Sequence, residues 1–278
     1  MTILAIDAGT TGITALVVDQ DATILARGYR EFPQHFPHDG WVEHDLGEIW
    51  AATLAACREA IAQAGLPVIA VGITNQRETV VFWDRKTLQA PRRAIVWQDR
   101  RTADVLSEPK FAAGAEQVRQ LTGLPLDPYF SSSKLLWVKR NQPEVWAAIE
   151  AGQTAVGTVD SYLVARLTGG KTHITDASNA SRTQLYNLRT GGWDSWLLDL
   201  FEVPETALPK IVPSWGQLAV CEPESFLGVM APITGIAGDQ QAALFGQLAF
   251  AEGQSKCTYG TGAFILQNTG SRPIRSKS

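Results

Sequence analysis

Residues Leu4–Thr11 read Leu-Ala-Ile-Asp-Ala-Gly-Thr-Thr, an apolar run that ends in an acid, a glycine and two hydroxyl side chains. The run predicts a short strand and a turn whose glycine lets backbone N–H groups approach a phosphate, while Asp7 would hold magnesium through water. Alone, such a stretch is more often an ordinary hairpin turn. The stretch Tyr259-Gly260-Thr261-Gly262 repeats the pattern near the other end of the chain. Two such turns favour a nucleotide-using phosphotransferase.

The composition is that of a folded globular protein without an extended basic surface. Of the 278 residues, 45% are hydrophobic and 19% are charged, so there is ample material for one large domain or two small ones. The net charge of -4 without a long basic run argues against nucleic acid or an anionic membrane as the main partner. Three scattered cysteines indicate neither a zinc site nor a disulfide framework. With no leader and no long apolar stretch, we expect a cytoplasmic protein without a membrane segment.

The order of predicted elements indicates an α/β fold. Strands over 3–6, 13–18 and 23–32 form a predicted antiparallel meander. A helix follows from Asp45 to residues 64–65, with Glu48 placed as in a capping box, and 68–73 is predicted to be a buried strand. This order, starting from a phosphate turn, is that of the ribonuclease H-like domains of the actin, hexokinase and Hsp70 group, two of which close over ATP. The step is an analogy between folds.

The rest of the chain predicts more helices and the start of a second domain. Helices are expected at 142–151, 160–167 and 195–200, and in a longer Ala-, Gln- and Leu-rich segment at 236–250. A strand pair, 256–259 and 263–267, would open a second domain of the same type. Residues 1–249 would then form the first domain and 250–278 the first strands of the second. Because a meander needs a third strand and a covering helix, we expect a truncated second domain, whose unpaired edge at 263–267 would favour homo-oligomers.

Two polar clusters follow strands or begin helices in this scheme. Arg77 and Glu78 come at the end of the strand at 68–73, where side chains of α/β folds emerge into a cleft and would grip hydroxyl groups. An ordinary surface ion pair is the equal alternative. Asp239 and Gln240 place a carboxylate and an amide just after a glycine-flanked turn. By itself, Asp239 fits an N-cap worth about 1 kcal/mol better than a ligand.

Six strings along the whole chain resemble the glycerol kinases of the FGGY carbohydrate kinase family. They are Gly40-Trp41-Val42-Glu43-His44-Asp45, Ile73-Thr74-Asn75-Gln76-Arg77-Glu78-Thr79, Ile95-Val96-Trp97-Gln98, Asp127-Pro128-Tyr129-Phe130-Ser131, Ser178-Asn179-Ala180-Ser181-Arg182-Thr183 and Gly238-Asp239-Gln240-Gln241-Ala242-Ala243-Leu244-Phe245-Gly246. The second and fourth strings separate the chain from the xylulose and gluconate kinases of the family. The resemblance implies phosphorylation of glycerol by ATP with Mg²⁺, with ATP or ADP bound through a missing second domain.

The resemblance also implies roles for individual residues. The hydroxyl groups of glycerol would bind Arg77, Glu78, Tyr129, Asp239 and Gln240, and its carbon backbone would pack on Trp97 and Phe264. Asp239 would be the base that takes the proton of the attacking hydroxyl, and would lie with Asp7 at the metal. The phosphates would contact Thr10, Thr11 and Gly12 from the first domain, and Gly260, Thr261 and Gly262 from the second.

Three features depart from the family pattern. Gly12 and Thr14 stand where the family has a serine and a cation after the first phosphate turn, which predicts one weaker phosphate contact. Residues 224–232 lack the Gly-Gly-Thr-Arg loop of regulated members, so we expect no response to fructose 1,6-bisphosphate. The second domain is missing beyond Ser278, so we expect impaired or absent activity. A non-catalytic polyol-binding or interaction fragment and a kinase for another polyol or sugar of the family stay open as alternatives.

Overall fold

The computed structural model describes residues 1–260, 262–272 and 274. Its strands are β1 (Thr2–Ala8), β2 (Gly12–Val18), β3 (Ile24–Glu31), β4 (Glu43–His44), β5 (Val68–Asn75), β6 (Val81–Asp84), β7 (Ala94–Ile95), β8 (Thr154–Gly157), β9 (Ile174–Asp176), β10 (Tyr186–Asn187), β11 (Gly192–Trp193), β12 (Lys210–Val212), β13 (Trp215–Val220), β14 (Pro232–Gly238), β15 (Ser255–Tyr259) and β16 (Ala263–Gln267). Its α-helices are α1 (Leu46–Ala64), α2 (Ala103–Leu106), α3 (Pro109–Thr122), α4 (Ser131–Asn141), α5 (Pro143–Glu150), α6 (Val159–Leu167), α7 (Ala177–Ala180), α8 (Ser195–Phe201) and α9 (Asp239–Gly246), with a 3₁₀ helix at Glu205–Ala207.

A six-stranded sheet with the order β13-β14-β5-β1-β2-β3 forms the centre of the fold. The first three strands are the predicted antiparallel meander, which is confirmed. β1, β5 and β14 run parallel, and their register pairs Ala8 with Asn75 and Asn75 with Gly238. The three strands therefore end at the same edge of the sheet. The segments that follow them emerge side by side there, as is typical of ligand sites in α/β folds.

Helix α1 begins and ends as the sequence predicts. The Asp45 carboxylate accepts hydrogen bonds from the N–H groups of Gly47 (2.8 Å) and Glu48 (3.2 Å), and Gly65 ends the helix in a left-handed conformation with φ 61°. The capping box is only half formed. The Glu48 carboxylate lies 2.8 Å from Nε2 of His35, which removes it from the helix terminus.

Two apolar cores lie on the two sides of the segment that follows β5. The first packs the central sheet against α1, and it requires Gly28, because a Cβ there would lie 2.0 Å from the carbonyl oxygen of Ala56. The second gathers α3, α4, α5 and α8. Ile73 belongs to the first core and Val80 to the second. Residues 75–79 thus cross from one core to the other and are buried although all five are polar.

Two predicted elements differ from the structure. The segment 236–250 is not one element, because residues 236–238 finish β14 and α9 ends at Gly246. Ile236 pairs with Ile73 in the parallel ladder and is buried, so tertiary burial overrides the helical composition. The strand at 68–73 extends to Asn75 and is buried only in its second half, since 43% of Ile69 is exposed.

The remaining predicted elements are confirmed. Helices α5, α6 and α8 match the predicted ranges within two residues at each end. β15 and β16 form an antiparallel hairpin that pairs with no other strand in the described part of the chain. Among the described residues, no helix combines the length and the apolar character needed to cross a bilayer.

Candidate functional site

A cavity of about 170 Å³ opens where β1, β5 and β14 end, and the β15–β16 hairpin forms its opposite wall. Its lining contains all seven residues predicted for polyol binding. The lining residues are Thr10, Gln76, Arg77, Glu78, Trp97, Tyr129, Asp239, Gln240, Thr258, Gly260, Gly262 and Phe264. These residues come from six separate parts of the sequence, so the fold brings together residues that were predicted separately.

Arg77 and Asp239 both line the cavity and form an ion pair between a buried guanidinium and a carboxylate that is 35% exposed. Arg77 is 5% exposed, and its Nε lies 3.1 Å from Oδ1 of Asp239. The angle does not suit a hydrogen bond, so this buried N–H has no acceptor among the described residues. Asp239 also accepts from the backbone N–H of Gln240 (2.7 Å) and from its amide Nε2 (3.0 Å). The site therefore contains a fixed carboxylate beside a buried donor that lacks a partner.

Both simpler interpretations of these polar clusters are wrong. Arg77 and Glu78 are buried and pair with different partners, so they are not a surface ion pair. Asp239 is the first helical residue of α9, whose N-cap is Gly238, and no side chain caps the helix. The Asp239 carboxylate accepts from one N–H at the start of α9, that of Gln240, and it also lines the cavity.

Glu78 is held in a conformation that non-glycine residues rarely adopt. Its φ is 64°, and only 1% of the residue is exposed. The Ser131 hydroxyl donates to the Glu78 carbonyl oxygen at 2.9 Å, and Nε of Arg182 donates to the carboxylate Oε1 at 2.6 Å. Such backbone strain persists only where surrounding contacts over-determine it, and it clusters at functional sites. Sequence reasoning assigned no role to Arg182, which appeared only inside a matching string.

Three aromatic rings form one apolar side of the cavity. The ring centroid of Trp97 lies 5.6 Å from that of Tyr129 and 6.1 Å from that of Phe264, both with edge-to-face geometry. Burial, with the charge of Glu78, raises the pKa of Tyr129 to about 12. The phenol is therefore protonated at neutral pH and available as a hydrogen-bond donor.

A buried histidine organises the turn after β1 through two amides. Burial lowers the pKa of His44 to about 3, so its ring is neutral. Gln34 donates to the Thr10 carbonyl oxygen (2.8 Å), which leaves Oε1 of Gln34 as acceptor for Nε2–H of His44 (2.6 Å). Nδ1 of His44 then accepts from Gln76 (3.3 Å), whose amide also donates to the Gly9 carbonyl oxygen (3.0 Å). The side-chain amides of Gln76 and Gln34 thus hold the carbonyl groups of Gly9 and Thr10 in place.

The same network continues to the aromatic side. The Thr79 hydroxyl donates to Oε1 of Gln76 (2.8 Å), and Oγ1 of Thr79 accepts from the backbone N–H of Trp97 (3.2 Å). The indole N–H of Trp97 donates to Oγ1 of Thr10 at 2.9 Å. A continuous chain of hydrogen bonds therefore connects the turn at Thr10 with Trp97 on the aromatic side of the cavity. Sequence reasoning gave no role to His44, Gln76 or Thr79, because their importance depends on contacts distant in sequence.

Asp7 lies at the end of β1 and reaches solvent in the cleft. The surrounding protein desolvates its carboxyl group and, with the charge of Asp239, raises its pKa to about 6. Within the described residues no group of three or more His, Cys, Asp or Glu side chains is arranged to hold a metal ion. Asp7 and Asp239 nonetheless interact electrostatically, and a pair of carboxylates suits Mg²⁺, which keeps several waters and is usually bound by one or two carboxylates with substrate phosphates.

The residues predicted for phosphate binding fall into different environments. Thr10, Gly260 and Gly262 line the cavity, and Thr11 is exposed beside it. Gly12 is buried in β2, where a Cβ would lie 2.8 Å from a backbone oxygen of β3, so packing alone requires a glycine. Thr261 lies outside the described residues.

Two buried lysines support the cavity from behind. Nζ of Lys134 donates to three consecutive carbonyl oxygens, those of Pro128 (2.5 Å), Tyr129 (2.9 Å) and Phe130 (3.0 Å), and burial lowers its pKa to about 7. Lys256 from β15 donates to Oε1 of Gln240 and to the Thr258 hydroxyl (2.7 Å). The first lysine fixes the backbone under Tyr129. The second turns the Gln240 amide so that its NH₂ group faces Asp239.

Proteins of known family resemble this chain in sequence over almost its whole length. The model of the N-terminal domain of the FGGY family of carbohydrate kinases matches residues 2–246. The glycerol kinase of Bradyrhizobium diazoefficiens is 52% identical, and the match covers 99% of this chain and 56% of that protein. Glycerol kinase 1 of Pseudomonas aeruginosa is 50% identical with the same coverage. The chain thus spans about half the length of the curated relatives it matches.

Solved structures give a similar result. The crystal structure of Plasmodium falciparum glycerol kinase with ADP superimposes with a TM-score of 0.94 at 35% identity, over 99% of this chain and 56% of that chain. The xylulose kinase from Rhodospirillum rubrum gives a TM-score of 0.87 at 24% identity, over 95% of this chain and 54% of that chain. The second likeness shows a shared fold and no more. The α/β fold of the chain is accordingly that of the kinases in the actin, hexokinase and Hsp70 group, as predicted.

Proposed function

Because the chain belongs to the FGGY family of carbohydrate kinases, we propose that it provides the glycerol-binding part of a kinase that transfers phosphate from ATP to glycerol. One observation carries the proposal. The seven residues predicted to bind glycerol line a single small cavity at the ends of three parallel strands. The curated relatives named glycerol kinase add support, since they match 99% of this chain at 50–52% identity.

The cavity offers a small triol both kinds of partner. Glu78 and Asp239 would accept hydrogen bonds from hydroxyl groups, and Arg77, Gln240 and the protonated Tyr129 would donate them. Trp97 and Phe264 would pack on the carbon backbone. A site that pairs every hydroxyl rejects analogues that lack one, because its buried polar groups are then left unpaired.

Asp239 would act as the base. Its carboxylate lines the cavity, and the Arg77 guanidinium and the Gln240 amide hold it in place. A terminal hydroxyl of the bound triol would donate its proton to this carboxylate as its oxygen attacks the γ-phosphorus of ATP, and the bond from that phosphorus to the bridging oxygen would break to release ADP. General-base assistance of this kind contributes about 10²–10⁴-fold to rate, and positioning and charge stabilisation supply the remainder.

Magnesium and the nucleotide phosphates would bind on the β1 side. Mg²⁺ would be held by Asp7 and Asp239 and, when bound, would neutralise charge on the phosphates. Thr10 and Thr11 would contact the phosphates from one wall, and Gly260 and Gly262 from the other, while Gly12, buried in β2, would support the first turn by packing. The fixed carbonyl groups of Gly9 and Thr10 would hold the turn in one conformation, together with the bond from the Gly9 N–H to the Gly12 carbonyl oxygen.

We also propose a domain boundary near residue 250 and a cytoplasmic location. The boundary is supported by the family match, which ends at residue 246, and by a hairpin whose strands, among the described residues, pair only with each other. Location in a reducing compartment is supported by the free thiols of Cys57, Cys221 and Cys257.

Isothermal titration of the 278-residue polypeptide with glycerol tests the proposal. We expect saturable binding of glycerol and much weaker binding of 1,2-propanediol and of xylulose. Preference for xylulose, or no saturable binding of glycerol, would overturn it. ADP release with Mg-ATP is measured on the same preparation. Stimulation by glycerol extends the proposal to catalysis by this polypeptide, whereas bound glycerol without stimulation favours the non-catalytic polyol-binding alternative.

A further inference from the structure

We propose that Arg182 is a positioning residue that sets the hydroxyl specificity of the cavity by holding Glu78 and Tyr129 in a fixed relation. The inference rests on the proposed function, since it concerns how the same cavity selects its ligand. Arg182 follows α7 and is absent from the lining of the cavity. It therefore acts through the two residues that it contacts.

The first contact is with Glu78. The Glu78 side chain is 2% exposed, and Nε of Arg182 donates to its Oε1 at 2.6 Å. A buried carboxylate without a cation is strongly disfavoured, so this contact stabilises the Glu78 carboxylate in its buried position. With Oε1 taken by Arg182, Oε2 is the oxygen left to accept from a ligand hydroxyl. The ion pair thus makes Glu78 an acceptor with one free oxygen.

The second contact is with the aromatic pair that precedes α4. The guanidinium carbon of Arg182 lies 5.9 Å from the ring centroid of Tyr129 and 5.0 Å from that of Phe130. Both distances fall within the range of cation–π attraction. Lys134 fixes the backbone of these two residues, and Arg182 fixes the faces of their rings. One guanidinium is thus shared between an acceptor, Glu78, and a donor, the Tyr129 phenol.

An arginine suits this position better than a lysine. The planar guanidinium presents an N–H edge to a carboxylate while its face stacks on an aromatic ring. An ammonium is a compact point charge and cannot satisfy both contacts with one orientation. Replacement by lysine should therefore keep the charge beside Glu78 but lose the fixed angle between Glu78 and Tyr129.

The test compares Arg182→Met and Arg182→Lys with Arg100→Met. Arg100 lines the same neighbouring cavity of about 680 Å³ as Arg182, but it forms an exposed ion pair with Asp127 at 3.1 Å, so it controls for loss of a nearby cation. Glycerol and 1,2-propanediol binding to the 278-residue chain are measured by calorimetry. We expect Arg182→Met to weaken glycerol binding at least 30-fold and to reduce the preference for glycerol over 1,2-propanediol. Arg182→Lys should be intermediate, and Arg100→Met should stay within threefold of the unsubstituted chain.

A ligand-independent measurement separates failure of this inference from failure of the proposed function. The backbone amide signal of Glu78 is followed by ¹⁵N NMR in the three variants without ligand. We expect it to shift in both Arg182 variants and to stay unchanged in Arg100→Met. An unmoved signal in both Arg182 variants, or glycerol binding within threefold in Arg182→Met, overturns the positioning role. Absence of glycerol binding by the unsubstituted chain overturns the proposed function, and the NMR result then decides the role of Arg182.

Discussion

Gly238 offers the sharpest single substitution, because its missing side chain makes room for Arg77. A Cβ at Gly238 would lie 2.5 Å from Cδ of Arg77 and 2.7 Å from its Cγ. In Gly238→Ala, either the Arg77 side chain or the first turn of α9 has to move by about 1 Å to restore ordinary contact distances. The ion pair between Arg77 and Asp239, at 3.1 Å, lies directly beyond this contact. A displaced Arg77 would lose a hydrogen bond from its charged guanidinium to a glycerol hydroxyl, worth about 1.5–3 kcal/mol, which corresponds to roughly 10- to 100-fold in affinity.

Calorimetric titration with glycerol measures the effect, and Gly235→Ala is its matched control. Gly235 lies on the same strand, β14, but the nearest atoms to a Cβ there are 4.0 Å away. We expect Gly238→Ala to bind glycerol roughly 10- to 100-fold more weakly than Gly235→Ala. Overpacking should also lower the free energy of unfolding by about 1–3 kcal/mol, which urea unfolding would detect. Equal glycerol affinity in the two variants would refute the argument that the Arg77 side chain is positioned by this contact.

Three more substitutions test separate parts of the site. Asp239→Asn keeps the size of the side chain but removes the base. In a protein that carries the second domain as well, glycerol-stimulated ADP release should therefore fall about 10²–10⁴-fold with an unchanged circular dichroism spectrum. Retained release would contradict the role of Asp239. Burial lowers the pKa of His44 to about 3, so on acidification the unfolded chain binds a proton at this residue before the folded chain does. The contribution of His44 to the free energy of unfolding is therefore highest above about pH 6.5 and falls as the pH is lowered. Asp7 and Asp160 have raised pKa values, so they change stability in the opposite direction. The difference in free energy of unfolding between the unsubstituted chain and His44→Gln therefore isolates the histidine. Measured by urea unfolding, this difference should change by about 2 kcal/mol between pH 6.5 and 5. Lys134→Met leaves three carbonyl oxygens without their donor and should lower the free energy of unfolding by about 2–4 kcal/mol. Lys139→Met serves as control, because Lys139 lies on the same helix but is half-buried and pairs at the surface with Glu202. Equal stability of the two variants would count against the support of Tyr129 by Lys134.

Local signals made most of the fold predictable. The Asp45 cap and the left-handed Gly65 lie within one turn of the helix that they bound, so a short window of sequence contains the whole cause. The segment 236–250 failed for the opposite reason. Ile236 becomes a strand residue through pairing with Ile73, which is more than 150 positions away, and no local window contains that partner.

The site was predictable in a different way. The resemblance of whole strings located Arg77, Glu78, Asp239 and Gln240. Spacing alone equally allowed a surface ion pair for Arg77 and Glu78, and it favoured a helix cap for Asp239. Supporting residues gave no signal, because a lysine such as Lys134 on a helix normally indicates an exposed face. Its burial depends on three carbonyl oxygens supplied by the preceding loop.

The register that ends β1, β5 and β14 at one edge has a consequence for hydrogen exchange. The backbone N–H of Gln76 donates to the Ala8 carbonyl oxygen at 2.8 Å, at the boundary of the first core. This N–H should therefore exchange its hydrogen only when the sheet itself opens. The β15–β16 hairpin has no further strand beside it within the described part of the chain, and its amides should exchange by local opening. We therefore expect the strand ends to resist local opening more than the hairpin wall does. A ligand held between them would slow exchange mainly on the hairpin, since the strand ends are already protected.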